Sequence, residues 1–361
     1  MTYESTNPVS SKHYPTILGA SSSIPDGRVE TEPGRTASVA TTSGPELAVD
    51  AAVAVIESAG VDPGDISLVL HAWSHYQGHD FWSPAHYVAH CVGALSAMPI
   101  GINQMCNGAA AAIEIAQDRL GRQHPSGRGG LCLITTGDSF KSPGFDRQAS
   151  DYGSVYGDGG TALLLGPGVV ETTGGLCIRA VASDAAPELE VMNRGADPFA
   201  PAARWYRGTV DVRDAKKRHL RTAEPGAYAD RERRAIDTVV QRVLHEIGID
   251  GEDSRIRAVF TPRLNSDILE STYRPLLQRW FHAPMVDYGE QTGHLGAGDL
   301  IGNLADAIAD RTIDDSEGIY ILLSAGAGFT WSAVAVENLP DRRDLSGATP
   351  TAAPRSNVIV L

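Results

Sequence analysis

A weak internal repeat constrains the fold more than any other feature of this 361-residue sequence. Residues 52–72 and residues 239–262 share one pattern, an amphipathic helix followed by an acidic turn and an apolar strand. Gly60 and Gly248 lie at equivalent points of the two turns, 188 residues apart. The chain is therefore predicted to contain two similar halves.

The elements that follow keep this spacing. Gly130 and Gly318 begin two apolar strands and are again 188 residues apart. Cys106 and His294, also 188 residues apart, each lie in a loop between a strand and a small, apolar helix. Helices that are apolar on every side are typical of a layer between two sheets. We therefore predict an α/β fold of five layers, αβαβα, with two halves related by a pseudo-two-fold axis.

The repeat also predicts the domain organisation. Residues 1–180 form the N-terminal half with Cys106, and residues 181–338 form the C-terminal half with His294. Residues 184–235 are rich in Pro, Arg and Gly and have no counterpart in the first half, which indicates an insertion that caps the substrate entrance. Residues 339–361, like the first dozen residues, are expected to form a flexible tail.

Composition excludes several classes of protein. A formal net charge of −14 argues against a chain that binds nucleic acid or an anionic membrane. The four cysteines are widely spaced, which does not fit a disulfide framework or a zinc ribbon. We find no secretion signal and no apolar run of about 18 residues, the length that spans a bilayer. A cytoplasmic protein is expected.

Cys106 and His294 are the candidate nucleophile and base. A helix start favours a thiolate and so activates Cys106, although most free cysteines are buried and inert. The pseudo-symmetry should bring His294 next to Cys106, as in an activated nucleophile pair, although a loop histidine can also be purely structural. Asp299 either orients His294 as the third member of a triad or caps the following helix.

Three motifs resemble the ketoacyl synthase III branch of the thiolase superfamily over about residues 16–338. They are MCNGAAAAIEIA around Cys106, YGDGGTALLLG and SAGAGFTWSAVAVE. The resemblance implies the thiolase fold, a homodimer, and an oxyanion hole formed by the backbone N–H groups of Cys106 and Ala327. It implies no cofactor and no metal, with coenzyme A or phosphopantetheine thioesters of an acyl carrier protein as donor substrates.

The sequence departs from the condensing members of that family at two places. Arg263 replaces the histidine of their Pro-His-Gln-Ala-Asn motif, and the loop GHLGAGD, which contains His294, lacks their asparagine. The chain instead resembles the non-condensing acyltransferases of antibiotic and polyketide pathways, which transfer an acyl group to a hydroxyl or a carrier thiol. The alternatives are a decarboxylating ketoacyl synthase that primes a polyketide or fatty acid chain and a catalytically silent synthase partner.

Further residues are candidates for binding. Phe81 and Trp82 could line the substrate pocket, next to a histidine-rich segment in which a metal site is not expected because the HExxH pattern is absent. Basic residues could bind an acidic carrier protein or a coenzyme A phosphate, although a solvated helix face also fits them. These basic candidates are Arg213, Lys216, Lys217, Arg218 and Arg221, with Arg263, Arg274 and Arg279 further along the chain. The Gly-Asp-Gly-Gly segment at 157–160 is predicted to be a structural turn.

Overall fold

Twelve strands occur in the part of the chain that the computed structural model describes, residues 14–120, 130–152, 154–169 and 173–341. They are, in chain order, β1 (Tyr14–Ser23), β2 (Gly27–Glu32), β3 (Arg35–Val39), β4 (Ile66–Ala72), β5 (Met98–Ile102), β6 (Leu131–Asp138), β7 (Gly159–Val169), β8 (Thr173–Ala185), β9 (Ile256–Phe260), β10 (Met285–Val286), β11 (Gly318–Gly326) and β12 (Thr330–Asp341).

Nine α-helical segments accompany these strands in the described residues. They are α1 (Gly44–Ala59), α2 (Pro84–Cys91), α3 (Gly108–Leu120), α4 (Val191–Arg194), α5 (Val212–Thr222), α6 (Ala227–Ile247), α7 (Ser266–Ile268), α8 (Arg274–Leu277) and α9 (Asp299–Ala309). A π-helical turn at Leu269–Tyr273 joins α7 to α8. None of the helices in the described residues is long and apolar enough to cross a membrane.

The strand order shows the two predicted halves. Ten strands form one sheet in the order 10-9-11-12-8-1-7-6-4-5, and β2 and β3 form a separate two-stranded sheet. Strands β1, β7, β6, β4 and β5 repeat the arrangement of β8, β12, β11, β9 and β10, with two antiparallel pairings followed by two parallel ones in each set. The two five-stranded sets meet where Thr16 of β1 pairs with Cys177 of β8. The pseudo-two-fold prediction is confirmed.

Three apolar clusters separate the layers. One cluster lies between the two five-stranded sets and contains the small residues of α3 together with α9. A second lies between the N-terminal set and the helices α1 and α2, and a third packs the C-terminal set against α6 and α8. The order helix, sheet, helix, sheet, helix gives the five layers expected from the sequence.

The repeated glycines have one structural role. Gly60 ends α1 and Gly248 ends α6, and both adopt the left-handed conformation, with φ of 63° and 74°. A residue without Cβ reaches this conformation without strain, so each glycine stops its helix and turns the chain toward the next strand. The sequence repeat thus reflects two equivalent helix ends.

The predicted domain boundary needs a correction. Residues 180 and 181 both lie inside β8, which pairs along its length with β12 of the C-terminal half. The C-terminal half therefore begins with β8, because a strand belongs to the sheet that binds it. The predicted insertion at 184–235 contains α4 and α5 and ends inside α6. Residues 1–13 and 342–361, which include most of the two predicted tails, lie outside the described residues.

Candidate active site

Cys106 lies just before the N-terminal end of α3, and this end faces the second half of the chain. A short 3-10 turn, Met105–Asn107, leads from β5 into α3, and Cys106 is 7% exposed. A Cβ on Gly108 would lie 2.9 Å from the Cβ of Ala72 and 3.4 Å from that of Ala297. The small residues that follow Cys106 therefore allow the opposite half to approach it closely.

The Gly-Asp-Gly segment fixes the position of His294. The backbone N–H of His294 donates to the carbonyl of Val155 at 2.9 Å, and its carbonyl accepts from the N–H of Gly157 at 2.8 Å. The imidazole packs against the ring of Tyr156, with 5.0 Å between ring centroids. A Cβ on Gly157 would lie 1.8 Å from the carbonyl oxygen of Thr292, so this close approach requires glycine. Gly159 and Gly160 already belong to β7, so the prediction of a turn at 157–160 is wrong for the second half of the segment.

Asp299 binds the imidazole of His294 directly. Its Oδ2 lies 2.6 Å from Nδ1 of His294, and both side chains are 3% exposed. The same carboxylate accepts from the backbone N–H groups of Leu295 and Arg263, each at 2.8 Å. Asp299 is the first residue of α9, but its side chain binds the loop that contains His294. This geometry matches the triad alternative.

The thiol of Cys106 is the other polar group next to this imidazole, and it contributes to the pKa of His294. Because Nδ1 binds Asp299, Nε2 is the ring nitrogen that remains for the thiol. Burial opposes a charged imidazole, but the charges of Asp299 and Cys106, with the hydrogen bond to Asp299, raise the pKa of His294 well above its usual value. Burial likewise opposes the carboxylate, but His294 and Arg263 lower the pKa of Asp299. The arrangement therefore stabilises an imidazolium next to a carboxylate.

The C-terminal Gly-rich loop packs against the nucleophile turn. A Cβ on Gly326 would lie 2.4 Å from the backbone nitrogen of Asn107, so only glycine allows this approach. Ala327, the next residue, lines the same cavity as Cys106 and His294. The two backbone N–H groups expected to form an oxyanion hole thus belong to segments in direct contact.

A cavity of about 310 Å³ opens in front of Cys106. Aromatic residues form much of its wall, and the insertion contributes Lys216 of α5. Its lining residues are Cys106, Asp151, Tyr152, Ser154, Tyr156, Lys216, Tyr228, Ala229, Glu232, Leu264, Ile268, Thr272, His294, Ala325, Gly326, Ala327, Phe329 and Trp331.

Arg263 does not bind substrate, contrary to the sequence prediction. It is 1% exposed and donates to Asn303 (2.9 Å), Thr292 (2.8 Å) and Asp306 (2.6 Å). All three acceptors belong to α9 or the loop before it, so the guanidinium holds the His294 loop from behind. Only the tertiary packing of α9 reveals this role.

Phe81 and Trp82 are also absent from the lining of the cavity at Cys106, which corrects the pocket prediction. Both side chains are exposed, and Trp82 packs against His79 and Tyr87 instead. The segment that contains them forms a surface loop between β4 and α2. Within the described residues, no group of three or more His, Cys, Asp or Glu is arranged to hold a metal ion.

Of the other basic candidates, Lys216 lines the cavity, whereas Lys217, Arg218 and Arg274 are not among its lining residues. Lys217 is exposed, and Arg218 pairs with Asp214 at 2.8 Å. Arg274 pairs with Glu270 at 2.7 Å. Contact of these residues with a carrier protein remains a prediction.

Sequence reasoning missed several residues of the cavity. Glu232 and Tyr228 come from the first turns of α6, and Trp331 comes from β12. A signal for Glu232 was present, because it is a carboxylate where the apolar stripe of α6 predicts a nonpolar residue. Tyr156 could have been found from its place directly before the Gly-Asp-Gly motif.

Solved structures similar to this chain include an acyltransferase, a 3-oxoacyl-[acyl-carrier-protein] synthase III and a priming β-ketosynthase. ChlB3, described as an acyltransferase, is 27% identical with a TM-score of 0.79, and the match covers 91% of this chain and 98% of ChlB3. The 3-oxoacyl-[acyl-carrier-protein] synthase III of Aquifex aeolicus VF5 is 19% identical with a TM-score of 0.68, and the match covers 90% and 99%. The priming β-ketosynthase of the R1128 polyketide pathway is 18% identical with a TM-score of 0.68, and the match covers 92% and 99%.

Two other comparisons returned nothing, since no protein-family model and no curated protein matches this sequence. The structural neighbours nevertheless confirm the thiolase fold and the predicted ketoacyl synthase III-like relationship.

Proposed function

We propose that this chain, an enzyme of the ketoacyl synthase III-like branch of the thiolase superfamily, is a non-condensing acyltransferase. It takes an acyl group from a coenzyme A or carrier-protein thioester, holds it as a thioester on Cys106, and passes it to a hydroxyl or a carrier thiol. We assign the reaction to secondary metabolism of the polyketide or antibiotic type, on the strength of the sequence resemblance.

One observation carries the proposal, the Cys106 thiol next to the imidazole of His294, which Asp299 in turn binds at 2.6 Å. Cys106 comes from the first half and the other two residues from the second, so the pseudo-symmetry of the fold brings the three side chains together. A nucleophile bonded to a base that a third group orients is the arrangement that activates thiols for acyl transfer.

In the first half-reaction, Nε2 of His294 takes the thiol proton and the Cys106 thiolate attacks the carbonyl carbon of the donor thioester. The negative charge moves to the carbonyl oxygen, which the backbone N–H groups of Cys106 and Ala327 stabilise. The intermediate collapses with loss of the donor thiolate, which takes the proton from His294. The acyl group is then on Cys106, and the free donor thiol leaves.

In the second half-reaction, His294 takes the proton of the acceptor hydroxyl or thiol, and the acceptor oxygen or sulfur attacks the Cys106 thioester. The Cys106 thiolate leaves and recovers the proton from imidazolium. Asp299 stabilises that imidazolium in both steps and keeps Nε2 directed at the reacting atoms.

The charges in the cavity favour transfer over decarboxylation. Two of its lining residues can be cationic, Lys216 and His294, and each is paired with a carboxylate, Asp151 at 2.5 Å and Asp299 at 2.6 Å. Neither is free to bind the carboxylate of a malonyl-type substrate. The position of the histidine found in condensing enzymes is occupied by Arg263, which faces α9.

The homodimer implied by the resemblance is part of the proposal. Strand β5 is an outer strand of the sheet, and it exposes Met98 (62%) and Ile100 (37%). Exposed apolar edges are sites of strand pairing between chains. Sedimentation velocity would detect the dimer, and a monomer at all concentrations would refute it.

Product analysis tests transfer against condensation. The enzyme is incubated with a radiolabelled acyl-coenzyme A, a malonyl thioester, and hydroxyl and thiol acceptors. We expect labelled ester or thioester products and no carbon dioxide. Release of carbon dioxide with a ketoacyl product would establish the decarboxylating synthase instead, and no turnover of any donor would support a silent partner.

A further inference from the structure

A charged residue interrupts the buried face of α6. The buried residues of this fully described helix are Ala235, Ile236, Val239, Val240, Val243, Leu244 and Glu232. Glu232 lies one turn before Ile236 and is 8% exposed. Burying a carboxyl group lowers the stability of the fold unless the group has a hydrogen-bond partner, so a carboxyl group at this position suggests a function.

Glu232 faces the cavity in front of Cys106 and takes no part in the triad. It lines that cavity together with Tyr228, one helical turn earlier on the same face of α6. Phe329 and Trp331 continue this wall, with Tyr228 edge-on to Phe329 at 5.4 Å and Phe329 stacked on Trp331 at 5.9 Å. The carboxyl group is thus set in an aromatic wall of the substrate cavity.

The protein supplies only part of the hydrogen bonding that a carboxyl group can form. Among the described residues, the indole of Trp331 is the neighbouring donor that acts on the Glu232 carboxyl group and lowers its pKa. Lys216 is close enough to interact electrostatically with Glu232, but its ammonium group already pairs with Asp151. Asp151 in turn accepts from the hydroxyl of Tyr156 at 2.8 Å. One side of the Glu232 carboxyl group is therefore available to a ligand.

Burial supports a neutral carboxyl group at this position. It raises the pKa of Glu232, against the indole of Trp331 and the charges of Arg233 and Lys216, which lower it. A neutral carboxyl group both donates and accepts hydrogen bonds, as a hydroxyl does. The neutral carboxyl group of Glu232 is therefore complementary to a hydroxyl group of a ligand.

We propose that Glu232 determines acyl specificity, by hydrogen bonding to a hydroxyl substituent of the acyl group carried on Cys106. The inference rests on the proposed function and names its substrate class, hydroxyacyl thioesters. An acyl chain without a hydroxyl would displace water from the carboxyl group and offer no partner in return. A buried polar group left unpaired in this way is penalised by about 10-fold to 100-fold in rate or affinity.

Matched acyl donors test this inference. Acyl-coenzyme A thioesters with a hydroxyl at C2, C3 or C4 are each compared with the corresponding deoxy acyl-coenzyme A. The rate of acyl adduct formation on Cys106 is followed by intact-protein mass spectrometry. We expect at least one hydroxyacyl donor to react about 10-fold or more faster than its deoxy partner.

Variants of Glu232 separate recognition from folding. Glu232→Leu should remove the preference or reverse it, because the deoxy chain then meets an apolar wall. Glu232→Gln keeps a hydrogen-bonding group of the same shape and should retain a preference for the hydroxyacyl donor. Glu246→Gln, at an exposed position of the same helix, is the matched control and should behave as the wild type.

The outcomes are distinct. Equal rates for every matched pair, or a preference unchanged in a folded Glu232→Leu variant, would overturn the assignment of Glu232 while leaving acyl transfer intact. Failure of folded wild-type enzyme to form any adduct would overturn the proposed function and the inference with it. A preference for the hydroxyacyl donor that is lost only in Glu232→Leu would support the inference.

Discussion

At the scale of single residues, the Asp299 carboxylate organises the chemistry of the site. It accepts three hydrogen bonds, from the imidazole of His294 and from the backbone N–H groups of Leu295 and Arg263. A carboxylate with several donors stays ionised even when buried, and its negative charge stabilises a protonated imidazole. The carboxylate therefore favours the imidazolium that forms when His294 takes the thiol proton.

The buried pair of His294 and Asp299 makes stability depend on pH. The pKa of His294 is raised above its ordinary value of 6.5 and that of Asp299 is lowered below 3.8. Stability from the histidine is thus complete below about pH 6.5 and is lost as the pH rises through the raised pKa. Stability from the aspartate is lost only as the pH falls below about 3.8.

Urea unfolding of wild type and His294→Gln between pH 5 and 9 measures this contribution. The difference in unfolding free energy between the two proteins should be largest at pH 5 to 6 and should shrink toward pH 9. A difference that is constant with pH, or that grows as the pH rises, would contradict the raised pKa.

Arg263 is a structural residue, and its replacement should chiefly affect stability. Arg263→Met leaves Asn303 and Thr292 without a donor and Asp306 without its partner. Breaking such a buried network costs about 3 kcal/mol, somewhat reduced here because Asp306 is 32% exposed.

The matched control is Arg255→Met, since Arg255 forms an exposed pair with Asp253. That change should cost about 0.5 kcal/mol or less. Chemical denaturation of both variants provides the comparison, and an Arg263→Met protein as stable as the control would show that the network does not hold α9.

At the scale of secondary structure, two loops from different halves meet at the nucleophile. The Gly-rich loop between β11 and β12 contacts the turn that contains Cys106, and only the absence of a Cβ at Gly326 permits this. The expected oxyanion hole depends on this contact, because its two donors are backbone N–H groups of the two loops.

Gly326→Ala should therefore reduce turnover far more than stability. The new Cβ would displace the loop from Asn107 and move the N–H of Ala327 away from the developing oxyanion, and loss of one such donor costs about 10²-fold to 10³-fold in kcat. Gly208→Ala is the control, because a Cβ there meets no atom within 4 Å. Steady-state kinetics of both variants decide the matter, and wild-type turnover in Gly326→Ala would exclude the proposed oxyanion hole.

The elements differed in how well the sequence predicted them. Short patterns predicted the helix ends at Gly60 and Gly248, because local backbone conformation determines these positions. The roles of Arg263 and Glu232 were not predicted, since each depends on which distant element packs against it. Arg263 is remote from the cavity only because α9 covers it, and Glu232 faces the cavity only because α6 begins beside Trp331.

At the scale of the whole molecule, the repeat explains why the active site lies where it does. Two helices, α3 and α9, pack together between the sheets, and the turns that precede them are in contact. The pseudo-two-fold relation then places the loop before α3 opposite the loop before α9. Cys106 and His294 were predicted to meet for this reason, and both side chains line one cavity.

The insertion breaks this symmetry. It adds α4 and α5 to the second half, and Lys216 of α5 reaches the cavity through its ion pair with Asp151. Its sequence has no counterpart in the first half, so the repeat could predict its existence but not its contacts. Its position at the cavity is consistent with the predicted cap.

Intact-protein mass spectrometry after incubation with acyl-coenzyme A and acyl-carrier thioesters tests the central claim most directly. The wild type should gain the mass of one acyl group, and a hydroxyl or thiol acceptor should then remove it. Cys106→Ala should gain no mass, and His294→Ala should be acylated slowly. An adduct that persists in Cys106→Ala, or a folded wild type that no donor acylates, would contradict acyl transfer through Cys106.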